Sequence, residues 1–80
     1  MDITETHQKI LRSFLLDREE KTLIRIAKKI KLDSSVVYRG LEGLVNNDYA
    51  IKTKNRTYNI TEKGEQLIII IDTKLEDFSR

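Results

Sequence analysis

Residues 22–49 read TLIRIAKKIKLDSSVVYRGLEGLVNNDY, and two apolar periodicities meet inside that stretch. Leu23, Ile26, Ala27 and Ile30 recur at helical spacing, with Arg25, Lys28 and Lys29 on the opposite side. Val37, Leu41, Leu44 and Val45 form a second stripe, with Ser35, Tyr38, Arg39, Glu42 and Asn46 facing away from it. Between them Lys31-Leu32 makes a tight turn, and Asp33 is placed to cap the next helix, whose first turn holds Ser34 and Ser35. Ala27 is small, which lets two helices cross closely, as a helix-turn-helix needs. The second helix of the pair is expected over 34–46 or 47.

Working outward, Asn47-Asp48 ends that helix. Tyr49–Thr53 reads as a strand, Lys54-Asn55-Arg56-Thr57 as a polar turn and Tyr58-Asn59-Ile60 as the returning strand. Tyr49, Ile51, Tyr58 and Ile60 are the apolar set, with the face of each left to the register. Upstream, Ile3, His7, Ile10, Phe14, Leu11 and Leu15 share one face of a helix ending near Leu16. Asp2 is its expected cap and Glu5 the capping-box partner. His7 has no second ligand at helical spacing and is read as a packing histidine. Asp17–Lys21 is a charged connection. Adjacent carboxylates such as Glu19 and Glu20 cannot flank a substrate, so they are not a catalytic pair. Thr22 caps the next helix or ends a very short strand.

Thr61 is the expected cap of the last helix. Its run Leu67-Ile68-Ile69-Ile70-Ile71 is followed by Leu75 and Phe78. Four isoleucines in a row favour a strand by propensity, but the flanks keep a helical period, so a helix over 61–79 is preferred. A helix that is apolar nearly all round must be covered all round. A second copy of the chain is the simplest cover. Leu67, Ile68, Ile70, Ile71, Leu75 and Phe78 are the expected dimer contacts. Gly40 and Gly43 each cost about 1 kcal/mol against alanine inside a helix. Gly43 is read equally as room for a close approach near the exposed side or as tight packing.

Eighty residues make one domain with a modest core. There is no cysteine, and a single histidine makes no cluster, so no thiolate metal site or disulfide framework is available. No cofactor is called for, and little is present to catalyse with. No run approaches the ~20 apolar residues that span a bilayer, and the N-terminus does not read as a signal peptide. A soluble, cytoplasmic, nucleoid-associated protein with no membrane partner is expected. Net charge is only +2, but its distribution is uneven. Residues 18–31 carry six basic and two acidic side chains, residues 52–63 four and one, and residues 64–80 two and four. Two basic islands flank the 34–46 helix, an arrangement suited to a polyanion.

The fold expected is α+β, mainly α: a winged helix-turn-helix with a three-helix core, a two-stranded β-wing and a C-terminal helix, all in one domain. Residues 26–41, IAKKIKLDSSVVYRGL, and 58–64, YNITEKG, carry the resemblance. The chain resembles the winged helix-turn-helix superfamily of bacterial and archaeal transcriptional regulators. It is similar in broad style to the MarR and PadR groups and to small archaeal and archaeal-virus regulators. The resemblance covers about residues 4–75. It implies double-stranded DNA as partner, a homodimer, helix 34–46 in the major groove and the wing 50–60 on phosphate or the minor groove. Ser34, Ser35, Val36, Tyr38 and Arg39 would enter the groove. Lys28 and Lys29 would meet phosphate, and Lys52, Lys54, Asn55 and Arg56 would form the wing contact. Three departures stand out. Lys31 and Asp48 occupy positions where such families prefer glycine, and Arg39 is the lone base-reading cation of the recognition helix. A protein-docking winged helix is the alternative expectation.

Overall fold

The computed structural model describes the backbone of residues 1–78 and the side chains of residues 1–74. The order is α1 (Glu5–Leu16), β1 (Lys21–Thr22), α2 (Leu23–Ile30), α3 (Ser34–Asn46), β2 (Ala50–Lys52), β3 (Thr57–Ile60) and α4 (Glu62–Phe78). The strands make one antiparallel sheet in the order β1-β3-β2. Lys21 lies opposite Tyr58 on one side of β3, and Ala50 opposite Ile60 on the other. The expected two-stranded wing therefore gains a third, two-residue strand at its root.

The core draws on every layer. Ile10, Leu11 and Phe14 from α1 meet Ile26 and Ala27 from α2, and Val37, Leu41 and Leu44 from α3. Ala50, Tyr58 and Ile68 close it from the sheet and α4. In β2 the buried residue is Ala50, while Ile51 is 54% exposed, so the strand turns its small side chain inward and its isoleucine out.

The helix ends follow local chemistry. α1 is capped by Thr4, not Asp2, because the helix begins two residues later than Asp2 would require. The Thr4 hydroxyl accepts from the His7 backbone N–H, and His7 Nδ1 accepts from the Thr4 N–H at 3.0 Å. His7 thus fills the capping-box role expected of Glu5. Thr22 caps α2 and also belongs to β1, so both readings of it hold. Asp33 sits at the α3 cap position, but its carboxylate bonds to no first-turn amide. Thr61 accepts from the Gly64 N–H at 3.1 Å and so opens α4. Lys31 (φ 59°) and Asp48 (φ 64°) both adopt the left-handed conformation that glycine takes at least cost.

α4 keeps Ile68 in the protomer's own core at 1% exposure, so Ile68 is no surface contact in the single chain. Ile69 and Ile70 are 54% and 52% exposed. Leu67 and Ile71 pack partly buried against the core. The expected contacts of Leu75 and Phe78 lie outside the described side chains. Among the described residues two ion pairs tie α4 back. Arg12 donates twice to Asp72, at 2.6 and 3.0 Å, and Arg18 pairs with Glu65. The Arg12 guanidinium holds the Asp72 carboxyl below its usual range.

Candidate nucleic-acid interface

α3 is fixed from behind. Val37, Leu41 and Leu44 are fully buried, and Gly40 meets α1 so closely that a Cβ there would lie 2.7 Å from Ile10 Cδ1. A Cβ on Gly43 would lie 2.9 Å from Met1 Cε and 3.4 Å from His7 Nε2. Tight packing on α1 therefore accounts for Gly40, whereas the closest neighbour of Gly43 is the flexible end of the exposed Met1 side chain. With the inner face committed, Ser34, Ser35, Val36, Tyr38, Arg39, Glu42 and Asn46 are presented to solvent. Arg39 and Val36 also border a hollow of about 350 Å³ beside Thr4, Thr6, His7 and Gly40. Tyr38 donates its hydroxyl proton to Glu42 Oε1 at 3.1 Å, and that bond, with the carboxylate's charge, raises the phenol's pKa.

The wing stands next to this face. A cleft of about 160 Å³ separates them, lined by Tyr38, Glu42, Val45 and Asn46 of α3 and by Lys52 and Tyr58 of the hairpin. The Lys52 ammonium lies 5.8 Å from the Tyr58 ring centroid. At the tip, Thr53 and Thr57 close the loop (N–H to carbonyl, 2.9 Å), and the Arg56 N–H reaches the Thr53 carbonyl at 3.2 Å. Lys54, Asn55 and Arg56 form the three-residue loop, all exposed, with Arg56 at φ 60°. Glycine would sit at that left-handed position with less strain. A non-glycine side chain there costs about 1–2 kcal/mol.

The wing root is braced by the connection before β1. The hydroxyls of Thr53 and Thr57 are 2.6 Å apart, and Thr57 Oγ1 lies 3.0 Å from Glu20 Oε2. Asn59 Nδ2 donates to the Arg18 carbonyl. The charged string around residue 20 hides a further anchor that sequence reading missed. Lys21 is 1% exposed, donates to the carbonyls of Asp17 and Glu19, and lies over the Phe14 ring at 5.2 Å. Burial lowers its pKa, with Asp17 acting in the opposite direction. Nothing in one sequence marks this lysine as internal; only its place opposite Tyr58 in the sheet does.

The first basic island is thus partly consumed inside the fold. Lys21 is buried and Arg18 pairs with Glu65. Lys29 reaches to the Ser13 carbonyl of α1 at 3.4 Å. Arg25, Lys28 and Lys31 remain exposed without an ion pair among the described residues. In the second island Lys63 donates to the Asn47 carbonyl at 2.9 Å and covers the Tyr49 ring, while Lys52, Lys54 and Arg56 face solvent. Of the sequence-predicted groove and wing residues, Tyr38 and Lys52 line the cleft between α3 and the hairpin, Val36 and Arg39 border the hollow beside α1, and Lys29 turns toward the α1 backbone.

A helix pair joined by a left-handed turn, followed by a sheet-rooted hairpin and a further helix, matches the winged helix-turn-helix family model over residues 3–77. The chain belongs to the winged helix-turn-helix family. Solved structures repeat its architecture. A MarR family transcriptional regulator from Silicibacter pomeroyi superposes with a TM-score of 0.78 at 23% identity, over 92% of this chain and 53% of that one. A transcriptional regulator from Thermotoga maritima gives 0.77 at 26% identity, over 95% and 56%. The Zalpha domain of Carassius auratus PKZ, solved in complex with Z-DNA, gives 0.65 at 22% identity, over 71% and 94%. This winged helix spans about half the length of the two regulators. A comparison of the sequence with curated proteins finds no match. Among the described residues no helix is long and apolar enough to cross a membrane, and no three metal-ligating side chains come together.

Proposed function

We propose that this winged helix is a sequence-specific double-stranded DNA-binding transcriptional regulator acting as a homodimer. α3 enters the major groove, and the wing meets phosphate or the minor groove. The observation that carries the reading is Arg56. A bulky cation holds a strained left-handed position at the tip of an exposed hairpin where glycine would be more stable. Strain retained at an exposed position points to a contact made there. Tyr38, Arg39, Ser34, Ser35 and Val36 supply the groove contacts. Arginine suits guanine, and valine suits a thymine methyl. Lys52, Lys54 and Asn55 join Arg56 on the wing, and Lys28 reaches phosphate from α2, with Lys29 as a weaker contributor.

The dimer forms through α4, where Ile69 and Ile70 are half exposed among the described residues. A symmetric pair would read two half-sites about 34–36 Å apart, one turn of duplex. Anisotropy of labelled random-sequence duplex, titrated at low and moderate salt, tests this together with light scattering. Binding should weaken steeply between about 50 and about 200 mM salt. Arg56→Gly should raise thermal stability and weaken binding. A variant that is stabilised yet binds unchanged would remove the wing from the reading. The alternative, a protein-docking winged helix, is favoured by the same bare isoleucines and by the single cation of α3. It predicts no duplex binding at low salt from an intact dimer.

A further inference from the structure

We propose that Glu42, held in place by Tyr38, is a base-selecting residue that requires an amino-bearing base, cytosine or adenine, at one position of each half-site. The inference rests on the duplex-DNA reading above and deepens it. Glu42 lies on the same exposed face of α3 as Ser35, Tyr38 and Arg39, one turn beyond the last two, and borders the cleft next to the wing. Its carboxylate pairs with no cation among the described residues, although Lys52 lines the same cleft. A carboxylate left unpaired on a face meant for a polyanion carries a cost at every phosphate it approaches.

The Tyr38 bond decides what this pair can recognise. The phenol gives its only proton to Glu42 Oε1. What remains uncommitted on this exposed pair is Glu42 Oε2 and the lone pairs of the phenol oxygen, and both only accept. In the major groove, cytosine N4 and adenine N6 are the donors, whereas guanine and thymine offer acceptors at the corresponding edges. An acceptor-only pair therefore selects C or A and rejects G or T by leaving lone pairs facing each other. Because phosphate is repelled regardless of sequence, the same carboxylate lowers non-specific affinity more than specific affinity. Arg39, which donates only, reads a guanine beside it, so the two side chains demand opposite edges.

The test is selection from a randomised duplex library with wild type, Glu42→Gln and Tyr38→Phe, beside anisotropy on unselected random duplex. Glutamine keeps the size and both donates and accepts. Thermal melts of these exposed-site variants check the fold. Wild type should enrich C or A at one position per half-site, disfavouring G and T roughly tenfold. Glu42→Gln should flatten that position, keep its neighbours and bind random duplex roughly threefold more tightly at low salt. Tyr38→Phe should flatten it in part. Wild-type binding with the same selected site for Glu42→Gln overturns this inference and leaves the regulator reading intact. A wild type that binds no duplex overturns both.

Discussion

α3 and α4 both run alongside the core with apolar side chains left outside, and they are held very differently. α3 buries Val37, Leu41 and Leu44 completely and closes on α1 through Gly40. Its exposed Val36 and Tyr38 sit among hydroxyls and Arg39, on a face whose position the core fixes. Among its described side chains α4 buries only Ile68 completely, and it is further fastened by half-buried Leu67 and Ile71, by Gly64 at its start and by ion pairs to α1 and the residue 17–20 connection. Solvent-screened ion pairs orient a helix more than they stabilise it. The contrast separates two kinds of exposed apolar residue. On α3 they are isolated and surrounded by polar groups. On α4 Ile69 and Ile70 are adjacent and lie beside half-buried Ile71.

The glycines are the sharpest way to break that contrast. A Cβ on Gly64 would run into the backbone carbonyl of Tyr49 and lie 2.8 Å from Ile60 Cγ1. Backbone cannot give way, so Gly64→Ala should cost about 3 kcal/mol, as overpacking does. A Cβ on Gly40 meets chiefly the far end of the Ile10 side chain, which can rotate. Relief of about 1 kcal/mol from better helix propensity offsets the crowding there, so Gly40→Ala should shift stability by less than about 1 kcal/mol. Urea unfolding of both variants measures this. Equal losses would mean that the start of α4 is no more tightly seated than the α1–α3 crossing.

The next largest effect concerns what covers α4. Ile69→Glu with Ile70→Glu should leave the protomer folded, since neither side chain lies in its core. If a second copy covers them, light scattering should show the mass falling from twice 9.4 kDa to 9.4 kDa. A double variant that stays dimeric would place the interface elsewhere, and the α3–α4 contrast would lose its functional meaning.

Much of this arrangement is legible in the residues, and the exceptions share a cause. The stripe Leu23, Ile26, Ala27, Ile30 and the stripe Val37, Leu41, Leu44 are local periodicities, and the helices lie where they indicate. Lys31 and Asp48 stand where a glycine is usual, and both take left-handed backbone there. What escaped depends on partners distant in sequence. Ala50 rather than Ile51 turns inward because β2 is registered against β3 with Ala50 opposite Ile60. Lys21 looks solvated in a charged string and is internal because β1 adds to the sheet opposite Tyr58. Thr4 rather than Asp2 caps α1 because a histidine ring substitutes for a carboxylate, which no capping pattern anticipates. In the candidate interface, residue types and spacing placed Ser34, Ser35, Val36, Tyr38, Arg39 and the wing tip on the surface. Lys29's turn toward Ser13 depended on the α1–α2 crossing.

The smallest effect is a difference in how acid reaches the two helices. Behind α3, His7 Nδ1 accepts the Thr4 N–H while its Nε2 edge faces Gly43, so the ring serves the fold as the neutral base. Burial lowers its pKa from the ordinary 6.5. Below 6.5 the unfolded chain takes up a proton that the folded chain refuses, so stability should decline as pH falls from 6.5 through the lowered folded value. At the α4 attachment, Asp72 is held below its ordinary 3.8 by Arg12. Its contribution is intact above 3.8 and lost only as pH falls further, through the folded value. On acidification the α1–α3 seam should therefore weaken before the α1–α4 clamp. His7→Gln isolates the first step, because glutamine at the third helical position keeps a capping box without a titrating group. Thermal midpoints of wild type and His7→Gln, measured from neutral pH downward, should run parallel above 6.5 and separate below it, with the variant declining less. Parallel curves throughout would mean that the capping bond survives protonation by the ring turning, and that the seam behind α3 is looser than its buried core residues imply.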